Sequence, residues 1–338
     1  MTWIDGQRPH SGRQFLREIK LAEIESIEQL GNPMGPVFLL TFKGSILQAD
    51  RLVVKAERGT DRGARFTTTA EIMRVVDPRA IAELISPSEY LALKQAALRI
   101  GTENFKFWLA APETFFVKMK VRKHFIDLQK PPPQGFDAAQ IEILQKVMPK
   151  LAGNQSLWES LGEIVAVDLF LGNADRISPG EVSGAARLLN AGNVFLKFDA
   201  SGNLKKAIAL DNFDTNEDAS RLRGQGIPTY WLTDYAPILK NDGPARSYSR
   251  TVIEEVIRHG KTAGVEVHIG QDEVGFFFEG FKRGLAKLKA YVLRSFTRPQ
   301  ALIGHARENP YMPSRAPNPP RAQLPRGIID RAKSLGWI

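Results

Sequence analysis

Cysteine is absent from this sequence of 338 residues. Its absence excludes disulfides, thiolate-bound zinc and thiol nucleophiles, and it suits a reducing cytosol or export of an unfolded chain. The five histidines are scattered, and none stands at the spacing by which two imidazoles share a metal. No apolar run approaches the roughly 20 residues of a membrane-spanning helix. The opening MTWIDGQRPH lacks the basic-then-apolar pattern of a secretory signal. Neither the nucleophile-elbow pattern G-x-S-x-G nor the phosphate loop G-x-x-x-x-G-K-[ST] occurs, so serine hydrolases of that type and Walker-type nucleotide binding are excluded. No internal repeat is present.

What remains is an ordinary globular composition, 43% apolar and 25% charged with 9% aromatics. It is long enough for one large or two modest cores. The formal charge is +9, which favours acidic partners. Much of the surplus lies near the C-terminus, where Arg298, Arg307, Arg315, Arg321, Arg326, Arg331 and Lys333 face only Glu308 and Asp330. This reads as a solvated basic tail that can meet an acidic protein or, peripherally, an anionic membrane face. No motif for specific nucleic-acid recognition accompanies it.

From Ile24 the chain alternates short apolar pieces with turns. IESIEQL, VFLLTF and RLVVKAE each have strand length and β-branched or aromatic content, and Gly31 to Gly35 punctuate the first two. Three antiparallel strands are expected, with Lys55 inside the third. Such a lysine is ordinarily an edge residue pointing at water; below a glycine turn it can instead grip phosphates, although Gly31 and Gly35 do not form G-x-G-x-x-G. Helices are expected over 65–76, where Thr67 to Thr69 precede Glu71, and again from Pro78. A third starts at the Ser86-Pro87-Ser88-Glu89 cap and stops at Gly101. Asn104 to Leu109 and Thr114 to Val121 read as strands. Pro131-Pro132-Pro133 is the clearest linker, and beyond it helical spacing dominates: Asp137 to Met148, Leu157 to Val167, Thr229 to Leu239, Arg250 to Arg258 and Asp272 to Ser295. In the last, Phe276, Phe277, Phe278 and Phe281 read as core. Residues 297–326 read as extended, rich in proline and arginine.

Chemistry concentrates in Leu161 to Asp214. An apolar segment, helical or extended, delivers Asn173, Asp175 and Arg176 onto a loop. A second apolar run follows Asn193, and a third ends at Asp211-Asn212. Polar groups fixed at the ends of buried elements are what a phosphate-and-metal site requires. Phosphoryl transfer relies on positioning and charge neutralisation: a lysine for the phosphates, a glutamate for the lysine, oxygen ligands for magnesium and a carboxylate for the attacking hydroxyl.

The stretch LGEIVAVDLFLGNADRI, followed by NAGNVFL and AIALDN, resembles the catalytic region of the actin-fragmin kinase family. That family shares the atypical protein kinase-like fold with phosphatidylinositol kinases and HipA-type kinases. The similarity extends back to RLVVKAE and RFTTTAEIMR, about residues 25 to 215. The resemblance implies that Lys55 binds the nucleotide phosphates, with Gly31 and Gly35 in the turn above, and that Glu71 pairs with Lys55. It implies Asp175 as catalytic base with Arg176 beside it, Asn193 as a magnesium ligand and Asp211 as the principal one. Asn190 is a rival for the amide ligand, and Glu89 for the helix glutamate. Ile177 stands where lipid-kinase relatives carry histidine, which favours a protein acceptor.

The expected fold is therefore α+β and two-lobed: a sheet-rich N-lobe over 1–130, a mainly helical C-lobe over 131–296 and a tail over 297–338, with ATP and Mg2+ between the lobes. The expected function is phosphorylation of serine or threonine hydroxyls on a protein, with acidic or cytoskeletal targets both compatible. A kinase-fold AMP transferase and a catalytically silent basic binding module are the alternatives. The expected setting is cytoplasmic, in the producing cell or in one that receives the protein. The segment between Asp175 and Asn193 is the place to look for substrate choice.

Overall fold

The computed structural model describes residues 16–31, 36–44, 51–58, 69–111, 114–132, 134–173, 175–179, 189–210, 227–297 and 326–338. It is a mixed α+β chain that divides into two compact units. The first comprises Met1–Glu71, Arg79–Val121 and Arg294–Leu324, the second Ile72–Pro78, Arg122–Leu293 and Pro325–Ile338. The longest stretch of the second unit starts at Arg122, and strand pairing within it begins just afterwards, at Phe125.

The first unit is built on an antiparallel sheet. Strands β1 (Ile24–Gln29), β2 (Val37–Phe42) and β3 (Leu52–Arg58) form the expected meander. The chain then becomes helical at 69–73. The helix expected from Pro78 is instead a turn followed by β4 (Ala82–Leu84), whose residues find hydrogen-bonding partners on β5 (Thr114–Lys120). Ladder pairing with a distant strand overrides local propensity here. Final strand order is β1-β2-β3-β5-β4, so β3 is central.

Between β4 and β5 come α1 (Pro87–Ile100) and α2 (Glu103–Ala110). The α1 start is a capping box: the Ser86 hydroxyl accepts from the Glu89 N–H while the Glu89 carboxylate accepts from the Ser86 N–H at 2.7 Å. The segment expected as a strand at Asn104 to Leu109 is α2. Thr102 caps it by accepting from the Phe105 N–H, and Phe105 and Leu109, four apart, are the residues it buries. Aromatic content suggested a strand, but the buried pair follows the helical period. Phe105 packs edge-on against Phe38, ring centroids 4.6 Å apart, and against Phe116. Burial of such a ring stabilises by about 1.5–3 kcal/mol. Phe38, Leu40, Val54, Leu93, Phe105 and Phe116 are the centre of this core.

The second unit has a three-stranded antiparallel sheet, β6 (Phe125–Asp127), β7 (Phe195–Phe198) and β8 (Leu204–Ile208), in that order. The helix Gln155–Leu171 packs against β8. α3 (Ala138–Val147) starts at an Asp137/Gln140 capping box and α4 (Gln155–Leu171) at the Asn154 cap. Then come a π-helical turn at Trp231–Tyr235 and α5 (Ala236–Lys240), α6 (Asp242–Thr262) and α7 (Gln271–Thr297). Phe277, Phe278 and Phe281 of α7 are buried as expected, with Phe276 half-buried.

The glycines of α7 have a packing reason. A Cβ on Gly280 would stand 2.1 Å from the Glu159 carbonyl oxygen, and one on Gly284 2.7 Å from the Glu163 backbone. The α4 and α7 backbones therefore touch, and only hydrogen fits between them. Arg283 and Lys287 reach across to Glu163 and close that crossing.

The chain end differs from a solvated tail. α8 (Arg326–Ser334) belongs to the second unit. Arg331 is 1% exposed, donates to the Leu171 carbonyl at 3.0 Å and lies over the Trp231 ring, while Trp337 stacks on Phe170. A basic residue counted for a partner instead caps the end of α4. The proline- and arginine-rich run before it, with Arg298, Arg307, Arg315 and Arg321, lies outside the described residues.

Candidate active site

The site begins with α4, whose residues from Leu161 to Leu171 are all buried. Buried around its whole circumference over these residues, it is an interior helix. It ends because Gly172 adopts the left-handed conformation (φ 76°), which lets the Asn173 N–H return to the Asp168 carbonyl at 2.8 Å. This six-to-one bond is a Schellman closure, and it turns the chain sharply into the loop.

Asp168, in the last turn of α4, is completely buried. Its carboxylate accepts from the Asn173 amide at 2.9 Å and pairs with the Arg176 guanidinium. Arg176, 1% exposed, uses the rest of its fork on backbone: Nε donates to the Asn193 carbonyl at 2.9 Å and Nη2 to the Leu210 carbonyl at 2.8 Å. One side chain thus fastens three separate pieces of chain. The planar five-donor guanidinium is suited to this; an ammonium is not. Arg176, expected beside the base, faces inward.

Asp175 is half-buried, and both amide side chains considered as ligands converge on it. Asn190 donates to its Oδ1 at 3.0 Å, and Asn193 donates to its backbone carbonyl at 2.8 Å. Each amide nitrogen is thereby committed, and each amide oxygen is left as the ligating end. The Asn190 oxygen is buried and has no hydrogen-bond partner. Asn173 accepts from the Asp175 N–H at 3.1 Å, and a bridge between Ile177 and Leu189 closes the base of the loop. Tyr248 on α6 donates to the Ile177 carbonyl at 3.0 Å. Burial first, then Tyr235 and Asp168, raise its phenol well above the ordinary value, so it stays a donor. Ser178 and Pro179 are described, but most of the segment expected to govern substrate choice, residues 180–188, lies outside the described residues.

Asp211 and Gly35 also lie outside them. Leu210, which precedes Asp211 in the chain, is described, and it is the residue that Arg176 holds. Asp77 supports the same strand end: it is 2% exposed, pairs with Arg122 at 2.6 Å and accepts from the Ala209 N–H at 3.0 Å.

In the first unit, Lys55 is on the central strand, not an edge. Its side chain is 13% exposed and pairs with Glu57 at 2.9 Å, on the sheet face opposite Leu52, Val54 and Ala56. Glu57 was missed by the sequence reading, although two residues apart on a strand means one face. Glu71 is half-buried within the helical residues 69–73. Glu89 is engaged elsewhere, bonded to Lys118 at 2.6 Å. Lys118 is fully buried, also paired with Glu83, and this second internal lysine went unnoticed. Gly31 follows β1 with φ 67°, a conformation that favours glycine.

Among the described residues no three histidine, aspartate or glutamate side chains gather as a metal cluster. The donors present are nevertheless of the kind magnesium takes: a carboxylate and amide oxygens, with water completing the shell. No described helix is long and apolar enough to cross a membrane. Comparison with protein-family models and with curated protein sequences found no match to this chain.

Proposed function

We propose that this chain is an ATP- and magnesium-dependent phosphotransferase acting on serine or threonine hydroxyls of a protein, with a two-lobed kinase-like fold. The observation that carries the reading is the convergence on Asp175. A carboxylate on a rigid loop receives amide donors from Asn190 and Asn193, and Arg176 ties that loop to Leu210, next to Asp211 in sequence. A lysine on the third strand of an antiparallel sheet, joined to a helical unit, accords with the same reading.

The roles follow from the chemistry. Lys55 neutralises nucleotide phosphate charge, with Glu57 and Glu71 available to orient its ammonium. Asp175 accepts the proton of the acceptor hydroxyl as its oxygen bonds to the γ-phosphorus and the bond to the β,γ-bridging oxygen breaks, releasing ADP. Asn190 restrains the Asp175 carboxylate by donating to Oδ1 at 3.0 Å. Asn193 and Asp211 would hold magnesium, which supplies charge neutralisation at the phosphates when bound. A cytoplasmic setting, in the producing or a recipient cell, offers ATP, magnesium and protein acceptors.

Incubation with γ-labelled ATP and a cell lysate tests the activity. Label transfer that needs magnesium and is lost in Asp175→Ala, Asp211→Ala and Lys55→Met is the expected result. Mass spectrometry of the labelled product must read phosphate; AMP on the acceptor, or no magnesium-dependent ATP binding by the wild type, would overturn the reading.

A further inference from the structure

A polar groove of about 240 Å³ lies within the second unit, where the turn at 189–191 meets Lys130 and the last turns of α6. Its chemistry-bearing lining is Lys130, Asn190, Glu255, Arg258, His259 and Thr262. Asn190 connects it to the candidate base, since its nitrogen is on the Asp175 carboxylate at 3.0 Å and its oxygen is buried with no partner. The neighbouring Gly192 lets this turn pass Lys130: a Cβ there would stand 3.3 Å from the Lys130 Cβ.

The charges have a definite sum. Arg258 and Glu255 bond to each other at 3.0 Å, with Arg258 at the exposed rim and Glu255 more covered. His259 bonds the Leu128 carbonyl at 2.7 Å, and burial holds its pKa below the usual value, so the ring is neutral near pH 7. Lys130 is exposed and, among the described residues, has no carboxylate partner. The groove therefore presents one uncompensated positive charge. Its volume falls below the roughly 300–1,000 Å³ of sites that enclose whole small ligands. A polypeptide fits these terms, since it can carry an anionic side chain.

We propose that this groove binds the acceptor polypeptide, with an acidic side chain against Lys130 and the neighbouring hydroxyl at Asp175, to which Asn190 links the groove. The inference rests on Asp175 being the base of the proposed phosphotransferase. It assigns the substrate class, an acidic sequence around the target serine or threonine.

The test uses the full chain and fluorescent peptides in which a single serine is flanked by glutamate, alanine or lysine. Binding is measured by anisotropy without ATP, at low and at physiological salt. The wild type should bind the glutamate peptide about fivefold more tightly than the lysine one, the upper end of what an exposed charge contact gives. Lys130→Glu should invert that order, and Thr262→Trp, which fills the groove from an exposed helix position, should weaken all three. Circular dichroism checks that both variants fold. Equal binding of the three peptides by the wild type, or an unchanged preference in Lys130→Glu, overturns the inference. ATP turnover is read separately: peptide preference without magnesium-dependent turnover would leave the groove standing and sink the phosphotransferase reading.

Discussion

Replacing Arg176 by lysine keeps a positive charge near Asp168 and removes the fork that reaches two carbonyls. In the wild type the guanidinium contacts Asp168, the Asn193 carbonyl at 2.9 Å and the Leu210 carbonyl at 2.8 Å. A lysine has one nitrogen, so at best it retains the ion pair and leaves both carbonyls without that donor. Each lost partner costs about 1–2 kcal/mol, so the variant should lose about 2–4 kcal/mol. Arg176→Met should be worse, about 3–5 kcal/mol, because the buried Asp168 carboxylate then loses its guanidinium partner. Against a typical total of about 5–15 kcal/mol, the lysine variant should still fold. Denaturant unfolding followed through Trp158 and Trp231, both buried in the same unit, measures the loss. A lysine variant within about 0.5 kcal/mol of wild type, the ordinary scatter for surface changes, would refute Arg176 as the fastening of this loop.

Three further outcomes are expected. Gly280→Ala should force α4 and α7 apart, since its Cβ would meet the Glu159 carbonyl at 2.1 Å; a loss of about 1–3 kcal/mol is expected, and an unchanged melting temperature contradicts the close crossing. Removing residues 326–338 should destabilise the loop after α4, because Arg331 bonds Leu171 and Trp337 stacks on Phe170; hydrogen exchange at 169–173 should accelerate, whereas a merely solvated tail would leave it untouched. His259 is held below the ordinary imidazole value of 6.5, chiefly by burial. Because its pKa is depressed on folding, its contribution is present above 6.5 and is lost as pH falls towards the folded value. His259→Gln should therefore flatten the fall in stability between about pH 7 and pH 5, as denaturant midpoints across that range will read.

How far the sequence alone reached can be judged element by element. The first three strands were legible because alternation, turn residues and strand length agreed. Ser86-Pro87-Ser88-Glu89 announced α1 because capping is local chemistry between residues three apart. The Asp-Arg pair and the two asparagines were recognisable as a group, and the structure gathers them. Local pattern misled where distant partners decided: residues after Pro78 joined a strand some thirty-five positions further on, and aromatic Phe105 and Phe107 sat on a helix.

What only the tertiary structure decided is the direction each side chain faces. Adjacent in sequence, Asp175 stays half-exposed while Arg176 turns into the interior, because the buried Asp168 lies behind the loop and accepts it. Lys55 became a covered residue on a central strand because β5 pairs with β3 from beyond two helices. Arg331, alike in charge to the exposed Lys333, is buried because the end of α4 offers a carbonyl and Trp231 an indole face. Residue order determines which groups are available and which short-range caps form. Whether a charge meets water or a buried partner depends on chain segments far away, and those meet only when the fold is complete.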